Sequence, residues 1–324
     1  MIISRTPFRV SFVGGGTDLP SFYSRQPGAV IRMAVDRYVY ITVNRRFDDT
    51  LRLSYSKTEI VDALDDVKHP LFREALRMSG VHSAIEATSV ADIPSGTGLG
   101  SSSSFAVGLM HALHAFQGRH KTAEELADDA CRLEIDILGE PIGKQDQYAA
   151  AFGGLRRYRF NPDGTVFVDP VICSEGVKNR LFENLMFFYV GGTRDAREIL
   201  QAQSDSTERK LEHLQRICDL VDRFHDVLIR GSDVRELGEL LHESWLSKRE
   251  LAANVSNSRV DQLYEDARNA GAIGGKLLGA GQSGFLMLFC PTSKQGRVRE
   301  QLRGLREVPM SFEPEGSKII YVGR

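Results

Sequence analysis

The segment Asp92 to Ser104, D-I-P-S-G-T-G-L-G-S-S-S-S, limits what this chain can fold into more than any other stretch. Its glycines permit backbone turns that other residues resist, and its serines supply hydroxyls. Apolar residues then recur at helical spacing, at Phe105, Leu109, Ala112, Leu113 and Phe116, with Gly118 as a stop signal. The spacing predicts a helix that begins as the loop ends. A helix start carries unpaired N–H groups and partial positive charge, so Pro94, Gly96, Gly98, Leu99, Gly100, Ser101, Ser102, Ser103 and Ser104 are the expected cradle for a polyphosphate. The loop is not a Walker A motif, which would require a lysine in G-x-x-x-x-G-K-[ST]. The bland alternative, a flexible Ser and Gly connector, fits poorly with the patterned helix that follows at once.

Length and composition narrow the class. At roughly 100 to 200 residues per domain, 324 residues predict two domains or one bilobed unit. Hydrophobic residues make up 42% and charged residues 26%, and 41 Lys plus Arg against 43 Asp plus Glu leave a formal charge of -2. No block of like charge offers a footprint for duplex nucleic acid or an acidic membrane, so phosphate recognition must be local. The four cysteines, Cys131, Cys173, Cys218 and Cys290, form no C-x-x-C pair. Neither a zinc site nor a disulfide framework is suggested, and a reducing, cytoplasmic setting fits best. Arg5 and Arg9 interrupt any secretion-type apolar run, and no apolar run approaches the roughly 20 residues of a membrane span.

Arg37 to Val43 and Leu51 to Tyr55 are rich in β-branched and aromatic residues and flank a polar segment, which predicts a hairpin. Glu124 to Leu138 reads as a helix ended by Gly139 and Pro141; Leu155 to Phe160 and Thr165 to Val171 read as strands around Asn161 to Gly164. Further on, Leu211, Leu214, Cys218, Val221, Phe224 and Leu228 mark a long amphipathic helix, and Val234 to Leu251 marks another. Ser258 and Asp261 have capping-box spacing at the head of a helix that closes near Gly271, and Phe285 to Cys290 is an apolar strand. This order predicts an α+β fold in two lobes, divided at about 155 to 185, with working limits 1–170 and 171–324.

Three other motifs could carry chemistry. Arg9 to Val13 is an apolar strand that runs into Gly14, Gly15, Gly16, Thr17 and Asp18; an arginine and a carboxylate at its ends suit a polyol beside a phosphate. In Gly143-Lys144-Gln145-Asp146-Gln147, Asp146 could take or orient a hydroxyl proton, and Glu134 upstream could give a hard oxygen to Mg²⁺. The cluster Gly271 to Gly284 contains Gly279-x-Gly281-x-x-Gly284, which matches the dinucleotide fingerprint in letters only, because a helix precedes it and a strand follows. A close backbone approach and a tight helix-to-strand connection both remain open for it. The eight histidines include no H-x-x-x-H pattern, and Trp245 sits in a helical apolar pattern where core packing is its default.

Taken in order, P-F-R-V-S-F-V-G-G-G-T-D (7–18), P-S-G-T-G-L-G-S-S-S-S (94–104), G-K-Q-D-Q (143–147) and G-A-I-G-G-K-L-L-G-A-G-Q-S-G (271–284) resemble the motif set of the GHMP small-molecule kinases across nearly the whole chain. Within that superfamily, 14–23 and 245–257 look most like the D-glycero-D-manno-heptose 7-phosphate kinases. The resemblance implies a two-lobed fold with a left-handed β-α-β unit around 94–117 and an active site in the cleft between lobes. It puts Asp146 on the catalytic aspartate and Arg9 on the arginine beside it. Ser102 and Glu134 match the Mg²⁺ ligands, the backbone of 96–104 would hold ATP phosphates, and Gly15, Gly16, Thr17, Asp18, Asp146, Lys276 and Gly281 fall on the substrate side.

The implied reaction is ATP-dependent phosphorylation of the anomeric hydroxyl of heptose 7-phosphate to the 1,7-bisphosphate, toward nucleotide-activated heptose. Arg5, Arg25, Arg32 and Lys276 are its candidates for the 7-phosphate. Gly14-Gly15-Gly16 stands where galactokinases have Gly-Glu-His, and Gln282-Ser283 stands where the heptose kinases often have glycines. An anomeric kinase for a free sugar such as fucose or mannose is the alternative, and a catalytically silent regulatory member the remoter one. The expected partner is a sugar or sugar phosphate, with neither nucleic acid nor membrane, and a homodimer is left open.

Overall fold

The computed structural model describes residues 1–192, 208–231, 233–251, 255–279 and 281–323. Residues 252–254 of the 245–257 stretch and Ala280 of the third glycine motif lie outside the described residues. The described strands form two sheets. The first contains β1 (Ile2–Val13), β2 (Gly28–Arg45), β3 (Leu51–Ser54), β4 (Thr58–Val61), β5 (Ile85–Ala91), β6 (Leu155–Phe160), β7 (Val166–Pro170) and the final strand, β12 (Lys318–Val322). The second runs in the order β11 (Arg306–Glu307), β8 (Leu185–Gly191), β10 (Gly284–Phe289), β9 (Gly274–Leu277).

The length of β2 organises the first sheet. One edge pairs along β1, while the other is shared: Gly28–Met33 pairs with β6 and Val39–Arg45 with β5. The hairpin expected from Arg37–Val43 and Leu51–Tyr55 does not form. Instead β5 enters between them, antiparallel to β2 and parallel to β3. Alternation of apolar residues sets which face of a strand is buried but leaves its partner open, and a later strand took the place that the sequence neighbour was expected to fill.

The described helices are α1 (Pro20–Tyr23), α2 (Pro70–Ser79), α3 (Ser101–Phe116), α4 (Ala123–Cys131), α5 (Gln145–Phe152), α6 (Glu175–Glu183), α7 (Glu208–Arg230), α8 (Arg235–Leu251), α9 (Ser258–Ala270) and α10 (Thr292–Gln301). The helix expected from the Phe105 pattern takes all four serines into its first turn, and it packs on β1 and β2. A wider π turn, Arg132–Ile137, continues α4. At the head of α9 the capping residue is Asn257, whose side chain accepts from Val260 N–H, rather than Ser258; Asp261 is engaged by Ser256 and Arg249 instead. Asn is as good an N-cap as Ser, so spacing alone could not separate neighbours.

Sheet two is buried on both faces. Along β10, Phe285, Met287 and Phe289 join the main core with Phe224, Leu237 and Leu241, while Leu286 and Leu288 join a second cluster with Trp245 and Tyr264. The strand therefore reads as an unbroken apolar run, as two-sided burial requires. Phe12 of β1 stacks on Phe224 of α7 with ring centroids 5.3 Å apart, so the end of β1 is fixed against the second half of the chain.

Candidate active site

Where β1 ends, the chain turns through Gly14 to Asp18. The Thr17 hydroxyl is buried at this turn, 2.8 Å from Gly14 O and 2.9 Å from Ala29 O, and it accepts from Ala29 N–H at 3.1 Å. Asp18 is fully buried beside it and accepts from Gly16 N–H at 3.3 Å and from Gln145 N–H at 3.2 Å. The second of these bonds ties the glycine turn to the first residue of α5. Burial pushes the Asp18 carboxyl up to about 6, with Arg32 opposing and Asp146 adding to the rise.

The loop before α3 is docked from two sides. Leu99 O accepts from Arg9 N–H at 3.1 Å, which fixes the loop to β1. On the other side it meets the loop between β9 and β10. Gly98 has φ +85°, and a Cβ there would lie 2.4 Å from Leu278 O; a Cβ on Gly279 would lie 2.5 Å from the Gly98 Cα. Only residues without side chains allow this approach. The third glycine motif is thus a backbone contact with the first loop, set between two antiparallel strands, which settles the choice left open by its sequence. At α3 itself the cap residue, Gly100, provides no side-chain hydrogen bond, so the first N–H groups of the helix stay available.

Asp146, in the first turn of α5, is held by two guanidiniums. Arg9 donates to it from Nε at 2.9 Å and from Nη2, and Arg32 donates from Nη1. Burial alone would raise its carboxyl, but the charges and hydrogen bonds of Arg9 and Arg32 outweigh that and hold it well below the usual range. Arg9 also donates from Nη1 to Gly98 O at 2.7 Å. One guanidinium therefore joins the carboxylate to the glycine loop.

Glu134 sits on the π turn, which swings it toward the start of α3. Ser102 Oγ donates to Glu134 Oε1 at 2.6 Å, and Gln147 Nε2 donates to Oε2 at 2.7 Å. The carboxyl is 1% exposed and has no cation beside it among the described residues. Burial pushes it up to about 7, although the hydrogen bonds from Ser102, Ser103 and Gln147 pull the other way. Gln145 Oε1, Gln147 Oε1 and Arg32 Nε are buried nearby with no hydrogen-bond partner among the described residues. Unpaired buried polar atoms at one place are what a polar ligand or ordered water would satisfy.

The motifs are thus brought together from distant parts of the chain: Arg9 with Gly98 and Asp146, Ser102 with Glu134, and Asp18 with Gln145. Lys276 is buried on β9 and donates to Phe12 O at 3.0 Å. Ser104 Oγ donates to Pro7 O, and Pro94 O accepts from Thr97, so both brace the loop. Gly16 lies against Leu214, Gly15 faces open space, and Gly281 packs on the Val255 backbone. Of the phosphate candidates, Arg5 is placed elsewhere, over the Tyr38 ring with Glu313 and Glu315 at 3.4 Å, because β12 and its approach bring those acids to it. Arg25 is exposed. Sequence reasoning missed Arg32 as the second arm on Asp146, Gln147 as the partner of Glu134, and Lys248. The signal for Arg32 was a single charge inside the apolar run A-V-I-R-M-A-V.

A helix start whose first N–H groups are left uncapped, an arginine-clamped carboxylate and a serine paired with a buried glutamate fit a kinase acting on a small molecule. Comparison with known families agrees: residues 60–154 match the GHMP kinases N terminal domain and residues 224–306 match the GHMP kinases C terminal domain. The chain belongs to the GHMP kinases, a family that implies ATP as phosphoryl donor. It is 29% identical over 333 residues to D-glycero-alpha-D-manno-heptose 7-phosphate kinase of Campylobacter jejuni, covering 98% of each chain. It is 28% identical over 347 residues to galactokinase of Thermococcus kodakarensis, covering 96% of this chain and 95% of that one. The crystal structure of a D-glycero-D-manno-heptose 1-phosphate kinase from Bacteroides thetaiotaomicron superposes with a TM-score of 0.82 at 21% identity over 100% of both chains, which shows the shared fold. Among the described residues, no helix is long and apolar enough to cross a membrane.

Proposed function

We propose that this chain transfers the γ-phosphoryl group of ATP to the anomeric hydroxyl of D-glycero-D-manno-heptose 7-phosphate, in the cleft between an N-terminal lobe (1–170) and a C-terminal lobe (171–324). The observation that carries the chemistry is Arg9, which bonds Asp146 and Gly98 O with one guanidinium. The similarity to the Campylobacter jejuni heptose 7-phosphate kinase supports the choice of sugar. In this reading the free N–H groups at the start of α3 bind the phosphates, and Asp18 with the Gly15–Thr17 turn binds sugar hydroxyls. Asp146 accepts a hydrogen bond from the attacking hydroxyl and orients it in line. Because two guanidiniums keep it ionised, it is a weak base, and its part is chiefly to position and to stabilise charge; a loose phosphoryl-transfer transition state demands no more. Arg9 faces the oxygens of the transferring group.

Ser102 Oγ and Glu134 offer the hard oxygen atoms that Mg²⁺ prefers, and a buried carboxyl without a counter-charge suits a cation completed by phosphate oxygens and water. The ion would supply further charge neutralisation at the phosphates. Glu134→Gln is expected to raise the Mg²⁺ concentration for half-maximal rate at least about tenfold. A magnesium titration of the rate, unchanged from the wild type, would remove Glu134 from this role.

The substrate is tested by ADP release across heptose 7-phosphate, free heptose, fucose, mannose, galactose and mevalonate. Turnover with heptose 7-phosphate at least about tenfold above every other acceptor, in kcat/KM, is expected. Equal or better turnover of a free sugar sinks the heptose phosphate and leaves the kinase mechanism standing. Silence on all, with ATP still bound, moves the chain to a regulatory role.

A further inference from the structure

Four cations converge on the inner part of the site, and two carboxylates stand among them. Arg9 and Arg32 share Asp146, while Asp18 is spent on backbone N–H groups. The two lysines have no carboxylate partner among the described residues. Among the described residues Lys276, 3% exposed, reaches only Phe12 O, just before the Gly14 turn. Lys248, half-buried on α8, reaches only Gly279 O among the described residues, in the loop that touches Gly98. An ammonium group has three donors, so each keeps donors unspent. The elements that bear them are in backbone contact, since a Cβ on Gly274 at the head of β9 would lie 1.9 Å from Gly238 O of α8. A charge drawn out of water without an ion-pair partner is costly.

Each cation feels the others. Burial, then Lys248 and the two arginines, draws Lys276 well below the usual lysine range. Burial, then Arg9 and Arg32, brings Lys248 down to about 8 against the opposing pull of Asp146. A surplus of positive charge held rigidly by carbonyl anchors is the mark of a site awaiting an anion.

We infer that Lys248 and Lys276 form a second phosphoryl-anion subsite, built by α8 and β9 opposite the start of α3. The inference rests on the kinase reading above and deepens it. The anion has two sources, the terminal phosphate of the sugar substrate or the group in transfer from ATP, and they leave different kinetic traces.

Initial rates of the full chain, Lys248→Met and Lys248→Arg with heptose 7-phosphate and with free heptose separate the two. If the subsite holds the terminal phosphate, Lys248→Met raises the KM for heptose 7-phosphate at least about tenfold more than that for free heptose, with the KM for ATP within about twofold. If it holds the group in transfer, kcat falls at least about tenfold with both acceptors and the KM values stay within about twofold. In either case Lys248→Arg recovers most of the loss, which a packing role would not produce. Rates unchanged in Lys248→Met, or equal losses in the Met and Arg variants, overturn the inference. Should no acceptor turn over, the kinase reading has failed, and calorimetric titration of inorganic pyrophosphate decides the subsite alone. Binding weakened at least about fivefold in both Lys248→Met and Lys276→Met, with melting temperatures kept, sustains it; equal binding in wild type and both variants ends it.

Discussion

Asp146→Asn is expected to lower kcat at least about a hundredfold while the protein still binds ATP, the scale for loss of one preorganised polar group from a site where charge develops. The reason is visible in its partners. Oδ1 of the carboxylate accepts from Arg9 Nε and Arg32 Nη1 and Oδ2 accepts from Arg9 Nη2, so an amide with its oxygen at Oδ1 turns its N–H₂ against Arg9 Nη2, and the opposite orientation turns it against Arg9 Nε and Arg32 Nη1. On the proposed reading the attacking hydroxyl then loses its acceptor, and Arg9 loses part of the two-bond contact that fixes it between Asp146 and Gly98 O. Rates at saturating ATP and sugar, with a separate measurement of nucleotide affinity, check this. A loss smaller than about tenfold would contradict any central role for Asp146.

The second large effect is expected at Gly98→Val. The backbone there has φ +85°, and the new Cβ would stand 2.4 Å from Leu278 O, which is backbone and cannot swing aside. A β-branched residue in the left-handed region adds strain of about 1–2 kcal/mol before the clash is counted. The loop must part from the β9–β10 connection, so the KM for ATP should rise at least about tenfold and the melting temperature should fall. Gly296→Ala is the matched control. It lies in α10 with nothing within 4 Å of its Cβ position, and helix propensity should raise stability by about 1 kcal/mol or less. Melting curves and nucleotide titrations of both variants test the pair; an unaltered KM for ATP in Gly98→Val would break the proposed link between the two glycine loops and nucleotide binding.

Much of the architecture was legible because it is local. The α3 pattern, the amphipathic α7 and α8, and the strands around Asn161 to Gly164 follow from apolar periodicity and turn residues, and the structure has them where the spacing put them. The GHMP kinase class was legible because backbone demands leave fixed traces, above all glycines where a side chain would collide. The hairpin failed for the converse reason. Strand composition at Arg37–Val43 and Leu51–Tyr55 was correct, yet pairing depended on β5, which the local pattern of those two strands does not contain. The cap was expected at Ser258 and falls on Asn257, because neighbouring polar residues compete on equal terms.

The sequence by itself determined which residue types could serve a phosphate, a sugar and a metal, and where the chain could turn tightly. Only the tertiary structure decided which charges meet. Arg9 and Asp146 are separated by 137 positions, Arg32 and Asp146 by 114, and Ser102 and Glu134 by 32. Coulomb attraction acts across space and is blind to order along the chain, and burial sets its strength by removing water. The second arginine on Asp146, the departure of Arg5 to Glu313, and the two lysines left without a carboxylate among the described residues all arise from how β1, β2, α5, α8 and β9 pack, and no spacing along the chain encodes that.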